Sequence, residues 1–276
     1  MTTLGGSTLP AACGLDPYCS PIRLWLRLTG RERVEETEAM WWGRHDEAAI
    51  VTRLMALGYE LAYPGPEIAD GWLVGHLDAL FPDGPVECKS MAHHVDSLDH
   101  AHEAQLLTYM HLTGADRGLL ARRVGHTLEV REVERRQPWI DLLLELGERF
   151  LGYVERDTPP PVSGHPDDRA ALVVLFPDEV RDEPIRETRA VREARQELRR
   201  LMEAEKARKE RMEGLRALIC EHMGRADTLI DRDGAPVATW RSVQSRRFNL
   251  DRFKVDHAAL YEEYREPSTT RTLTLT

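Results

Sequence analysis

Three charged groups sit where apolar strands do not ordinarily hold them. The stretch GHLDALFPDGPVECKS, residues 75–90, puts Asp78 on one apolar run and Glu87 and Lys89 on the next, with a Pro- and Gly-containing turn between. A strand alternates its side chains, so Glu87 and Lys89 share one face while Val86 and Cys88 take the other. The parity of the turn decides where Asp78 falls. A four-residue loop, FPDG, pairs Leu80 with Pro85 and sets Asp78 opposite Glu87. A two-residue loop, DG, keeps the face and sets Asp78 opposite Lys89, whereas a three-residue loop sends it to the other face. The alternation of both runs favours even parity, which gathers two carboxylates and an ammonium on one patch. Buried carboxylates repel each other. A hard divalent cation, which takes oxygen ligands, removes that conflict; the competing reading is a salt-bridge cluster on a half-exposed sheet.

Two helices bring further polar groups inward. Over residues 36–57, Glu47 stands three, four and seven residues before Ile50, Val51 and Leu54, on the apolar face. Gly43, one turn earlier, allows a close backbone approach there. Over residues 97–113, which Gly114 ends, Gln105 shares a face with Ala101, Tyr109 and Leu112.

The elements that must position these groups follow from pattern and punctuation. Ser20 and Pro21 open a short helix closed by Gly30. YELAYP and WLVGHLDALF read as strands before the turn and VECKSM as the strand after it. RGLLARRV and TLEVREVE form a second hairpin around Gly125-His126, and residues 138–155 form an amphipathic helix. The expected class is α/β, with a mixed central sheet flanked by helices over residues 1–156. Residues 157–186 read as a Pro-rich linker and connecting segment, with RDTPPPVSGHPDD stiff and free of helix, and residues 187–225 as a long charged helix. Residues 226–276 read as a hairpin turning at DRDG, followed by a basic tail with Arg241, Arg246, Arg247, Arg252 and Lys254. Along the long helix, Val191, Leu198, Met212 and Ile219 recur every seven residues, but Glu205 interrupts them. A solvated helix is therefore expected rather than a sustained coiled coil.

With these motifs in order, the chain resembles the PD-(D/E)xK nuclease superfamily, and within it the YqaJ-type viral recombinases of the phage lambda exonuclease group. Gly43-x3-Glu47, Asp78, Glu87-x-Lys89 and Gln105-x3-Tyr109 carry the likeness. The opening LGGSTLPAACGLDPYCSPIRLWLRLTG adds to it, so the resemblance spans roughly residues 4–150. It implies a restriction-endonuclease-like core with a C-terminal long helix and small hairpin extension. It also implies Mg²⁺, with Mn²⁺ able to substitute, held by Asp78, Glu87 and the main-chain carbonyl of Cys88, with Glu47 assisting. Lys89 would orient or deprotonate the attacking water, and Gln105 would hold the phosphate. DNA contacts would come from Gln105, Tyr109 and Ser7. His76 stands where a small hydroxyl residue can meet the 5′-phosphate, a departure from the pattern. Arg23, Arg27, Arg44, Arg122 and Arg123 are candidates to line a DNA channel, or else a solvated surface.

The implied activity is digestion of double-stranded DNA from 5′ ends, leaving 3′ single strands for a single-strand annealing protein. The enzyme would act as a trimeric ring in the cytoplasm of a bacterial or phage-infected host. An endonuclease on the same core, an adaptor acting through the long helix, and a DNA-binding module built on the basic tail are the alternatives. A formal net charge of −10 argues against indiscriminate coating of nucleic acid. No apolar run approaches the roughly 20 residues of a membrane span. Four cysteines, at 13, 19, 88 and 220, lack CxxC spacing, so reduced thiols and no iron–sulfur cluster are expected.

Overall fold

The computed structural model describes residues 2–93, 96–181, 183–266 and 270–275. It divides into two compact units, Met1–Pro177 and Asp178–Thr276.

The first unit is built on a four-stranded mixed sheet in the order β4-β5-β6-β7, formed by Ala79–Phe81, Gly84–Met91, Arg117–Val124 and Thr127–Glu134. The β5–β6 pair is parallel and its neighbours are antiparallel. Its two faces are covered by different helices. Helix α3, Glu38–Ala56, lays Ile50, Val51 and Leu54 against Ala79, Val86, Cys88, Leu119 and Ala121. Thr37 starts this helix by accepting a hydrogen bond from the Met40 N–H at 3.2 Å. On the opposite face, α4, Ser97–Thr113, brings Leu106, Leu107 and Met110 into a second core with Leu120. That helix ends as expected at Gly114, whose φ of +71° suits a residue without a Cβ.

The second core also takes α1, Leu9–Ala12, α2, Pro21–Leu28, and α5, Gln137–Glu155. A smaller sheet, β1-β3-β2, joins Leu4–Gly5, Leu73–His76 and Glu67–Asp70.

Three expectations need correction. YELAYP is not a strand; Ala62 makes one isolated bridge to Leu80, and the strand lies later, at β2. Pro64 and Pro66 lack the N–H groups a ladder needs, so pairing cannot run through them. WLVGHLDALF is not one strand but two, β3 and β4, in different sheets with Leu77 and Asp78 at the break. Finally, residues 157–186 are more than a linker and connecting segment, although RDTPPPVSGHPDD is free of helix up to its last residue, as read. They contain α6, Asp168–Leu175, whose Ala171 is fully buried in the same core, and the first unit runs on to Pro177 rather than to residue 156.

The second unit contains α7, Arg189–Met223, close to the expected helix. The hairpin β8–β9, Thr228–Ile230 with Pro236–Thr239, turns where DRDG was read. Two short helices not foreseen in the tail follow, α8, Leu250–Asp256, and α9, Ala258–Glu263. Residues 267–269 and 276 of that tail lie outside the described residues. Among the described residues no helix is long and apolar enough to cross a membrane.

Candidate active site

The turn between β4 and β5 settles the parity. Ala79 pairs with Val86, Leu80 with Pro85 and Phe81 with Gly84. Continued by one step, that register sets Asp78 opposite Glu87. The Asp78 carboxylate crosses to accept a hydrogen bond from the Cys88 N–H at 2.6 Å. Glu87 is 1% exposed, and its Oε1 lies 2.5 Å from the Lys89 ammonium, itself 27% exposed. The Cys88 side chain turns the other way, into the α3 core, so sulfur is not a donor here.

The two flanking helices complete the cluster. From α3, the half-buried Glu47 lies near enough to Asp78 and Lys89 for their charges to act on it. From α4, the buried Gln105 donates its amide to the Tyr109 hydroxyl at 2.9 Å, and Glu87 acts on the same phenol. The phenyl ring is fixed between two glycines. A Cβ on Gly6 would stand 2.5 Å from Tyr109 Cε1, and one on Gly75 would stand 3.2 Å from the same ring. That close approach brings the N-terminal strand, and exposed Ser7 after it, alongside α4.

The electrostatics are those of acids crowded away from water. Burial, opposed by Lys89 and reinforced by Asp78 and Glu47, pushes Glu87 up to about 8. Burial also raises Asp78, against the Cys88 N–H and Lys89, and raises Glu47. Burial alone would lower the Lys89 pKa, but Glu87 and Asp78 outweigh it and hold the pKa above the ordinary lysine value. Lys89 is thus a fixed cation at neutral pH.

The donor set suits a hard cation. All the candidate atoms are oxygens, and Glu87 Oε2 is buried with no hydrogen-bond partner. Among the described residues, no three His, Cys, Asp or Glu side chains already surround a common ion position. Asp78 is instead turned onto the Cys88 amide and Glu87 onto Lys89. Asp78, Glu87 and Glu47 would hold the ion, with the Cys88 carbonyl, once these internal partners give way.

Residues 1–116 match the model of the YqaJ-like viral recombinase domain. The match falls on the part of the chain whose motifs carry the resemblance. The matched range contains Glu47, Asp78, Glu87, Lys89, Gln105 and Tyr109 and stops just past α4. Among solved structures, the chain is similar to an alkaline exonuclease from Laribacter hongkongensis. That pair has 16% identity and a TM-score of 0.46, covering 56% of this chain and 89% of that one. It is also similar to a phage-related exonuclease from Haemophilus somnus 129PT, with 14% identity and a TM-score of 0.46, covering 56% and 94%. Among curated proteins none matches.

Around the acidic cluster the expected arginines are already engaged. Arg23 binds Asp167 at 2.6 Å and Glu32, and Arg27 binds Glu32 at 3.2 Å. Arg44 pairs with Glu36, and Arg122 with Asp99 and Glu129. His76 is exposed, with Nδ1 3.2 Å from Glu67. Two features escaped the sequence reading. Asp46, next to Glu47, accepts from the Ser90 hydroxyl at 2.6 Å and from Arg123, tying α3 to β5 and β6. His102, one turn before Gln105 on α4, is buried near Lys89 and Arg122. An acid followed by an acid gave no signal for the first. A histidine three before Gln105 could have given one for the second, because that spacing shares a helix face.

Proposed function

We propose that the chain is a deoxyribonuclease: a DNA exonuclease that digests duplex DNA with Mg²⁺, from 5′ ends, and leaves 3′ single-stranded tails for phage-type homologous recombination. One observation carries the reading. Three acids and an ammonium from α3, the β3–β4 junction and β5 lie within range of one another's charges, and Glu87 acts on Tyr109 of the Gln105–Tyr109 pair. A salt-bridge cluster would hold matched charges with satisfied oxygens. This patch holds three carboxylates against one lysine and leaves Glu87 Oε2 without a partner.

The reaction forms a bond from water oxygen to phosphorus and breaks the bond from phosphorus to the 3′ oxygen. A bound divalent ion supplies positive charge to the phosphate and acidity to a coordinated water. Lys89, held protonated by Glu87 and Asp78, adds a second positive charge beside the attacking oxygen. It orients that oxygen and stabilises hydroxide rather than taking the proton itself. The Gln105 amide is anchored on Tyr109, which fixes its direction toward a phosphate oxygen. Glu47, less buried than Asp78 and Glu87, would assist at the ion or through a water.

The same reading extends to Mn²⁺ as a substitute ion, a trimeric ring around double-stranded DNA, a single-strand annealing partner and a cytoplasmic site of action. The test is digestion of end-labelled linear duplexes beside closed circles, with Mg²⁺, Mn²⁺ or EDTA, and with Asp78→Asn as control. Loss of label from 5′ ends, intact circles and silence in EDTA are expected. Cut circles would make the same residues an endonuclease. Degradation that survives both EDTA and Asp78→Asn would end the proposal.

A further inference from the structure

Helix α7 has 35 residues, a length of about 52 Å at the α-helical rise. Along it Val191, Leu198, Leu201, Met212, Leu215 and Ile219 are 39–58% exposed. With Ala194, they recur at alternating spacings of three and four, the seam of a two-stranded coiled coil. Two central positions interrupt that seam, and they are occupied by Glu205 and Arg208. Both are exposed here, and Glu205 reaches Lys209 of its own helix at 2.7 Å.

These two charges discriminate between ways of covering the seam. A parallel pair of copies would set Glu205 against Glu205 and Arg208 against Arg208. An antiparallel pair, with its two-fold axis midway between residues 206 and 207, sets Glu205 against Arg208 twice. The same register sets Leu201 against Met212, Leu198 against Leu215 and Ala194 against Ile219. The seam is palindromic in character about its centre: acid meets base in the two middle layers and apolar meets apolar in the three layers on either side, while the outermost layer sets Val191 against His222. Arg195 approaches Arg216 of the second copy at the solvated rim, a weak opposing interaction. Paired charges inside a seam add little stability but fix register and orientation.

We infer that α7 is a self-association surface, an antiparallel two-helix coiled coil between two copies of this chain registered by reciprocal Glu205–Arg208 pairs. The inference is independent of the nuclease reading and of any assembly the first unit makes.

Sedimentation of the full chain across a wide concentration range tests it. Glu205→Arg and Arg208→Glu each create like-charge layers, so each raises the dissociation constant at least about tenfold. An equimolar mixture of the two variants regains association, because each copy then supplies the opposite charge. For orientation, a short bismaleimide joins Leu198→Cys chains to Leu215→Cys chains and joins neither variant to itself beyond the wild-type background. Association indifferent to both charge changes, or Leu198→Cys chains that join each other, would overturn the inference.

Discussion

His102 gives the protein an acid-side weakness whose size follows from its burial. The residue is 8% exposed on α4, and its Nδ1 has no hydrogen-bond partner. Burial is the main reason its pKa falls from 6.5 to about 3, and the charges of Lys89 and Arg122 push the same way against Asp99. A group depressed on folding is neutral in the native state and gains its proton in the unfolded one. Its contribution is complete above the unfolded pKa and is lost as pH falls from about 6.5 toward about 3. Between pH 7 and pH 5, one such histidine removes about 2 kcal/mol. That figure hardly depends on how far below 5 the folded pKa lies, because at pH 5 the native imidazole is still neutral. His102→Leu removes the titration without stranding a partner of Nδ1. Urea unfolding followed by circular dichroism should therefore show the wild type losing about 2 kcal/mol more than the variant between these pH values. The carboxylates contribute equally to both proteins and cancel in the difference. Parallel losses would mean that His102 is hydrated or charged in the folded protein, and that the electrostatics drawn for the α4 face are wrong.

Other substitutions read the site directly. Lys89→Met should lower DNA hydrolysis at least about a hundredfold; in steady-state assays the loss should appear in kcat. Glu87→Gln should abolish hydrolysis while leaving the protein at least as stable at pH 8 as the wild type, since it removes a carboxylate whose ionisation burial opposes while Asp78 still faces Lys89. Thermal unfolding without divalent ions checks this, and a marked fall in Tm would contradict it. Gly6→Ala drives a Cβ to 2.5 Å from the buried Tyr109 ring, so it should cost about 1–3 kcal/mol. Because Tyr109 anchors Gln105, the folded fraction of that variant should also bind DNA ends more weakly than wild type, measured by fluorescence anisotropy.

The sequence exposes the site more fully than the fold because the site's constraint is local. Ten residues and one turn decide whether Asp78 and Glu87 meet, and strand alternation leaves few outcomes. The register of β4 with β5 is one of those weighed, set by a tighter turn than the one that suggested it. Glu47 and Gln105 are readable for a similar reason: a polar group on an apolar helical stripe has nowhere to go but inward. What escapes depends on partners distant in the chain. Helix α6 is eight residues long, and its Ala171 is buried by helices more than a hundred residues earlier. No local pattern separates such a segment from a linker. YELAYP has strand-like residues, but Pro64 and Pro66 outweigh propensity once the ladder needs N–H groups. The Asp46–Ser90–Arg123 link joins α3, β5 and β6 on the face opposite Lys89, where strand alternation had marked only an apolar core. That link bears on the chemistry, because it clamps α3 one residue from Glu47. A catalytic acid on a helix is only as well placed as the helix itself. Here the adjacent residue holds it to the two strands that carry Glu87, Lys89 and Arg122.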